Sequence, residues 1–133
     1  MSQSTAEFLD RLRQYIQDEA SAQFKTLERQ WSHQLHERVA KGWAIEGLSV
    51  QDFQNGIIHL TCQTNDSRFR EGDLIVLHRG NPKDENALHC DLQYDGETDL
   101  EASLMDGNEY FLSAYSDGWI IDQDWFDTSR FYL

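Results

Sequence analysis

Four Asn-Gly or Asp-Gly dipeptides interrupt the chain after residue 42, and they constrain its fold more than any other feature. Such dipeptides supply the positive φ angles that tight hairpin turns need. The last three are each eleven residues apart, which predicts a meander of similar hairpins. The four dipeptides are Asn55-Gly56, Asp95-Gly96, Asp106-Gly107 and Asp117-Gly118.

Between these turns, apolar residues alternate with polar ones at the period of a β-strand. Together with Trp43–Val50, Leu74–Leu77 and Trp119–Ile121, the alternating sets predict about seven strands. A sheet of that many short strands closes into a barrel or folds into a sandwich. The strands lie within residues 42–133, and their number leaves both architectures open. The alternating sets are Ile58, Leu60 and Cys62; Leu88, Cys90, Leu92 and Tyr94; Leu100, Ala102 and Leu104; and Tyr110, Leu112 and Ala114.

The first forty residues follow a helical period instead. Ser4 and Glu7 have the spacing of a capping box, and Gly42 is a natural stop. A single helix over residues 5–40 would be roughly 54 Å long at about 1.5 Å per residue, so it either breaks, most plausibly around Ala20-Ser21-Ala22, or projects as a stalk. We therefore predict an α+β fold, with a helical stalk over 1–41 and a small antiparallel β-structure over 42–133 as one structural unit.

Charge limits where nucleic acid could bind. The formal net charge is −13, and residues 91–133 hold eleven acids against one arginine, Arg130. Long-range steering by the whole molecule would repel a polyanion. A nucleic-acid surface must therefore lie in the first ninety residues.

The run from Ser67 to Leu77 is the best candidate for such a surface. A charged loop with two arginines flanking an aromatic ring leads through Gly72 into a strand that is apolar at every position, as in a strand covered on both faces. Guanidinium groups suit phosphate and base contacts. The nucleic-acid candidates are Lys41, Arg68, Phe69, Arg70, Arg79 and Lys83.

Large aromatic residues form a second candidate surface. Eight of the sixteen aromatics lie between Tyr110 and Tyr132, within the acidic region, which favours core packing or docking onto a neighbouring domain over base stacking. The docking candidates are Trp31, Trp119, Trp125, Phe126, Phe131 and Tyr132.

Other chemistry finds little support in the sequence. The histidines and the cysteines Cys62 and Cys90 lack zinc-ligand spacing, and the alternation places both thiols on core faces. No nucleophile elbow is present. We expect no catalytic residue, no metal and no cofactor.

Two reduced thiols, no signal peptide and no apolar span predict a cytoplasmic protein without a membrane contact.

Several motifs resemble the region that precedes the motor in superfamily 1 helicases of the RNA-surveillance and immunoglobulin-switch-region type. They are Lys41-Gly42-x-Ala44-Ile45-x-Gly47-Leu48, the strand Gly56–Gln63, Asn65-x-Ser67-Arg68-Phe69-Arg70-Glu71-Gly72-Asp73-Leu74, and Trp119-Ile120-Ile121-Asp122-x-x-Trp125-x-Asp127. The resemblance covers roughly residues 25–130. It implies a helical stalk and a β-barrel attached to a motor domain in cis, with DNA or RNA contacted through residues 41–83.

The chain lacks the Gly-x-x-x-x-Gly-Lys-Ser/Thr loop that such motors use to hold ATP and magnesium. Both cofactors would therefore belong to a parent protein. A cut before the motor would explain the apolar ending Phe131-Tyr132-Leu133, and so would docking on the barrel. The alternative is a free-standing acidic interaction module that imitates a phosphate array and occupies a basic protein surface.

If Arg68 and Arg70 contact phosphates, replacing both with alanine should flatten the salt dependence of oligonucleotide binding. Each lost contact is worth about 0.9 in the log–log slope for a duplex and about 0.7 for a single strand. Binding titrations at several salt concentrations measure the slope. An unchanged slope would remove both arginines from the interface.

Overall fold

The computed structural model describes residues 2–124, without the side chains of residues 2–4, 16, 19, 20, 23 and 24. This part of the chain contains three helices and six strands. They are α1 (Ser2–Ser32), α2 (Leu35–Ala40), β1 (Ala44–Gln54), β2 (Ile57–Thr61), β3 (Leu74–His78), β4 (Leu88–Asp95), β5 (Asp99–Asp106), α3 (Tyr110–Ala114) and β6 (Trp119–Gln123). None of these helices is long and apolar enough to cross a membrane.

The strands form a closed antiparallel barrel in the order β1-β2-β5-β4-β3-β6. Strand β1 closes it by pairing with β2 on one side and with β6 on the other. Because neighbouring strands are antiparallel, β1, β3 and β5 all start at one end of the barrel. We call this the α2 end, since α2 leads into β1 there. The opposite end carries α3 and is called the α3 end.

The barrel has six described strands, whereas the sequence predicted about seven. The missing strand is the segment Tyr110–Ala114, which forms the short helix α3. The Asn108 side chain accepts a hydrogen bond from the Tyr110 backbone N–H at 3.0 Å, and the Leu112 N–H bonds to the Glu109 carbonyl. Three apolar residues are too few to distinguish a strand from a helical turn by periodicity.

Two of the four glycine dipeptides form hairpin tips, between β1 and β2 and between β4 and β5. At the first, Asn55 and Gly56 both have positive φ, at 54° and 79°. The other two dipeptides flank the segment that contains α3, so they end a strand and begin one without forming a hairpin.

The predicted alternation places most of the core correctly, but Tyr94, which was predicted to share the inward face of Leu92, is 44% exposed beyond a β-bulge between these two residues. Leu60, Leu92 and Leu100 are fully buried in one cluster, and Cys90 is 1% exposed within it. Strand β3 is buried on both faces, because Ile75 and Leu77 belong to the inner cluster while Val76, which points outward, is also buried. The prediction from the apolar run Leu74–Leu77 is confirmed.

The N-terminal segment breaks at a different place from the one expected. Helix α1 continues through Ala20-Ser21-Ala22 and ends at Ser32, and the two residues His33 and Gln34 separate it from α2. Every described side chain from Thr5 to Thr26 is exposed, and Leu27 is the first that is buried. Among the residues whose side chains are described, those of α1 that pack against the barrel lie in its C-terminal part.

A buried ionic network fixes the two helices to the barrel wall. Arg38 of α2 donates to both carboxylate oxygens of Asp122 on β6, at 2.8 and 3.3 Å. Its remaining guanidinium nitrogen donates to the carbonyls of His33, at 2.6 Å, and Trp31, at 3.4 Å, where α1 ends. The arginine thereby satisfies carbonyls that a helix end leaves without intrahelical partners.

His78 completes this network from β3. Its Nε2 lies 2.7 Å from Asp122, and its Nδ1 accepts a hydrogen bond from the Gly80 N–H. A nitrogen that accepts a backbone N–H carries no proton of its own, so the geometry assigns the proton to Nε2. We call Arg38, His78 and Asp122 the buried network.

Arg38→Ala should lower the free energy of unfolding by about 3–5 kcal/mol, because it leaves the Asp122 carboxylate buried without its cation. Urea denaturation followed by far-UV circular dichroism measures the loss. The matched control is Arg11→Ala. Arg11 lies 3.9 Å from Glu7, one turn earlier in the same helix, and both side chains are exposed. The control should change stability by less than about 0.5 kcal/mol. Equal losses in the two variants would contradict the role of the buried network.

Candidate nucleic-acid interface

The structure separates the predicted nucleic-acid residues into two groups. Lys41, Arg68 and Arg70 lie in connections at the α2 end of the barrel. Arg79 and Lys83 lie in the connection from β3 to β4, at the α3 end. Strand β3 of five residues spans roughly 17 Å at about 3.3 Å per residue. The two groups are therefore separate surfaces.

At the α2 end, a glycine brings two basic segments into contact. The Arg68 backbone N–H donates to the Gly42 carbonyl at 2.9 Å. Gly42 has φ +79°, and a Cβ there would lie only 2.7 Å from the Arg68 Cγ. Lys41 Nζ lies 5.1 Å from the centre of the Trp43 ring. We call Lys41, Trp43 and Arg68 the basic corner.

The two residues that follow Arg68 in the sequence, Phe69 and Arg70, have different environments. Phe69 is 7% exposed and belongs to the core cluster, so its ring is not available to stack on a base. The prediction for Phe69 is corrected for this reason. Arg70 is exposed, and its backbone N–H bonds to the Asp73 side chain at 2.9 Å in a tight turn. Its side chain points into solvent beside the core aromatic.

At the α3 end, Arg79 packs against aromatic rings. Its guanidinium carbon lies 4.1 Å from the centre of the Tyr115 ring and 5.8 Å from that of Trp119. Lys83 reaches Glu28 of α1 at 3.5 Å, in an exposed ion pair. Such a pair is weak and leaves the lysine accessible.

In the connection that carries Arg79 and Lys83, side-chain oxygens bond to backbone N–H groups and form turns. The Asn81 side chain accepts from the Lys83 N–H, and the Asp84 side chain accepts from the Asn86 N–H, both at 2.9 Å. Two backbone bonds, from Asp84 to Asn81 and from Ala87 to Asp84, tighten it further. Asn and Asp favour such turns because their oxygens reach the backbone two residues on.

The aromatic docking candidates also divide. Trp119 is 1% exposed inside the barrel and offers no docking surface, which corrects that prediction. Trp31 is half-buried, and its indole N–H donates to the Gln123 carbonyl at 3.1 Å, so it packs against its own barrel. The remaining four candidates lie outside the described residues: Trp125, Phe126, Phe131 and Tyr132.

Sequence reasoning did not find the buried network or the contact of Arg79 with Tyr115. A signal for the first was present, since His78 and Asp122 each follow directly after a run of apolar residues in a strand, where a buried charged residue is unusual. The contact between Arg79 and Tyr115 joins residues far apart in the chain, and no local pattern indicates it.

The histidines on the outer wall pair with carboxylates. His59 lies 3.8 Å from Asp52 and 3.7 Å from Asp99, and His89 lies 2.6 Å from Asp124. Within residues 2–124, where side chains are described, no group of three or more His, Cys, Asp or Glu residues is placed to hold a metal ion.

Both cysteine thiols have a raised pKa. Burial raises the pKa of Cys90 to about 12, with smaller contributions from Asp124 and Asp91. Burial also raises the pKa of Cys62, and Asp95 and Asp99 add to it. Because the thiolate is the reactive form, neither cysteine is activated as a nucleophile.

No family model and no curated protein matches the chain. The geometry of the two basic groups and of the acidic surface is therefore the basis for a functional proposal.

The raised pKa of Cys90 predicts a specific loss of stability in alkali. Above its ordinary pKa of 9.0, the unfolded chain releases the thiol proton while the folded chain keeps it, so unfolding becomes easier as pH rises. The free energy of unfolding should fall by up to about 1.4 kcal/mol per pH unit between about pH 9 and 12 from this group. Cys90→Ala should remove this part of the slope.

Urea unfolding at about pH 8, 9.5 and 10.5 tests this, with each variant compared with the parent so that tyrosine and lysine titration cancels. Cys62→Ala is the control, since Cys62 is only partly buried. Parallel pH profiles for the parent and Cys90→Ala would contradict the prediction.

Proposed function

We propose that this chain is a non-catalytic stalk-and-barrel accessory domain of an ATP-dependent superfamily 1 helicase, which positions nucleic acid and braces the motor. The observation that carries the proposal is a helix anchored at only one end. The buried network fixes the C-terminal end of α1 to the barrel, whereas its described side chains from Thr5 to Thr26 are exposed. Such a helix is suited to reach a neighbouring domain.

The exposed part of α1 carries an apolar stripe suited to bracing. Phe8, Leu9, Leu12 and Tyr15 are between 41% and 64% exposed. Their spacing of three and four places Phe8, Leu12 and Tyr15 on one side of the helix. A stripe of this kind on an otherwise polar helix is typical of a face that a partner covers. The motor domain, in cis, is the partner we propose.

The basic corner supports the nucleic-acid part of the proposal. Lys41 and Arg68 are both exposed, and the Gly42 contact holds their backbones together. Within the described residues, neither side chain has an ion-pair partner. Lys41 beside the Trp43 ring and Arg68 next to Gly42 can contact phosphates of a DNA or RNA strand, even on a chain of net charge −13.

The second candidate function is the acidic interaction module. The observation that favours it is the run of exposed carboxylates that follows β4. These are Glu97, Glu101, Asp106, Glu109 and Asp117. In the described part of the chain none of the five forms an ion pair, so their charges are available to a basic protein surface.

Titration of labelled single-stranded and duplex oligonucleotides separates the two functions. The helicase proposal expects binding that weakens with salt, and Lys41→Ala should reduce the salt slope by roughly 0.7 to 0.9. The control is Lys25→Ala, because Lys25 is an exposed lysine on α1. Its slope should match that of the parent.

Absence of salt-dependent binding to either oligonucleotide, combined with salt-dependent binding to polylysine, would reject the helicase proposal in favour of the acidic module. The gene provides a second test. A reading frame that continues from Leu133 into a Gly-x-x-x-x-Gly-Lys-Ser/Thr loop agrees with the helicase proposal, and a stop codon contradicts it.

A further inference from the structure

The α3 end of the barrel contains a small cavity at the opposite end from the basic corner, and His78 is the member of the buried network that lines it. Its volume is about 280 Å³, close to the lower limit of small-molecule sites. The connection from β3 to β4 forms one wall, and α3 with the residues that follow it forms the other. We call it the barrel-mouth pocket. It is lined by His78, Arg79, Asp84, Asn86, Ala87, Phe111, Tyr115 and Trp119.

Arg79 is held flat at this pocket. Its guanidinium lies over the Tyr115 ring, 4.1 Å from the ring centre, and approaches the backbone of Gly118. A Cβ on Gly118 would lie 3.0 Å from an Arg79 nitrogen, and the φ of Gly118 is +75°. The guanidinium forms no hydrogen bond or ion pair with any of residues 2–124. Its in-plane donors are therefore available to a ligand.

The connection from β3 to β4, which carries Arg79, also supplies hydrogen-bond acceptors and an amide donor. One oxygen of Asp84 accepts the Asn86 N–H at 2.9 Å, which orients the carboxylate while its other oxygen remains without a described partner. The Asn86 side chain adds an amide donor and acceptor. The pocket thus combines one cation, one carboxylate, one amide and aromatic walls.

This combination discriminates between ligand classes. A free phosphate would meet the Asp84 carboxylate and the exposed acids Glu109 and Asp117 on the neighbouring segment, which disfavour it. An aliphatic ligand would leave the polar groups of the pocket unpaired. A nucleobase fits both features, because it is flat and presents hydrogen-bond donors and acceptors along its edge.

We infer that the barrel-mouth pocket binds a single unstacked nucleobase that carries an exocyclic amine. The Arg79 guanidinium and the Tyr115 and Phe111 rings provide the flat surfaces, since bases stack on aromatic rings and on arginine planes. Asp84 accepts from the exocyclic amine, and Asn86 pairs with the adjacent ring nitrogen. The inference rests on the proposed function, because a bound DNA or RNA strand would supply the base as an unpaired nucleotide. Binding of free nucleosides tests the pocket separately from binding of the strand.

The experiment follows the backbone amides, the Arg79 Nε–H and the Trp119 indole N–H by NMR during titration with adenosine, cytidine, uridine or inorganic phosphate. Adenosine and cytidine should shift the signals of the pocket residues. Uridine, which lacks an exocyclic amine, should bind at least threefold more weakly, and phosphate should leave these signals unchanged.

Arg79→Ala and Tyr115→Ala should each weaken cytidine binding at least tenfold. Both side chains are exposed, so both variants should keep the fold. The matched control is Arg13→Ala, an exposed arginine on α1 outside the pocket, and it should bind as the parent does. Asp84→Asn keeps the oxygen that accepts the Asn86 N–H and should remove the preference for cytidine over uridine.

Shifts caused equally by phosphate and by cytidine would overturn the inference and indicate an anion site. Absence of any shift with the three nucleosides and with phosphate would also overturn the inference. Nucleoside binding without oligonucleotide binding would leave the pocket assigned and reject the proposed function. Oligonucleotide binding without nucleoside binding would reject the pocket as a base site and leave the proposed function standing.

Discussion

The buried network is the interaction on which the arrangement of this molecule depends. A single carboxylate, Asp122, accepts from an arginine of α2 and from the histidine that ends β3. The same arginine also binds the carbonyls at the end of α1. Asp122 and His78 are 1% exposed, and a buried charge is tolerated only when its partners and hydrogen bonds are complete. The network therefore allows one position of the helices on the barrel, with α1 leaving at a fixed place.

The closed barrel determines how the basic residues can act. A barrel without edges keeps its outer wall from pairing with other strands, so its connections and its helices offer the contact surfaces. Here the connections at the two ends differ in chemistry. The α2 end combines Trp43 with three cations that form no ion pair among the described residues, whereas the α3 end combines an arginine that lies over Tyr115 with a carboxylate and a cavity. The first arrangement suits phosphates, and the second suits a base.

Particular elements show how far the sequence could be interpreted. The alternation from Leu88 to Tyr94 extends over seven positions, and a period of two has no helical equivalent over that length. It was therefore sufficient to predict the strand β4 and the inward face of Leu88, Cys90 and Leu92. The same argument failed for Tyr110–Ala114, where a short set fits a helical turn as well. Phe69 was misassigned because a loop has no period that distinguishes an inward ring from an outward one. Trp119 was misassigned because a large aromatic suits a core and an interface equally.

The sequence by itself determined the short strands, most of their core residues, the helical N-terminus and the uneven charge, since each depends on local periodicity or on composition. The strand order decided that these strands close into a barrel rather than a sandwich. The tertiary structure alone decided which distant groups meet. It placed Arg38 on Asp122, Arg68 beside Gly42, and Arg79 on Tyr115, and it separated the predicted basic residues between two ends of the barrel. The physical reason is that the strand order brings together residues far apart in the chain. No local pattern records those contacts.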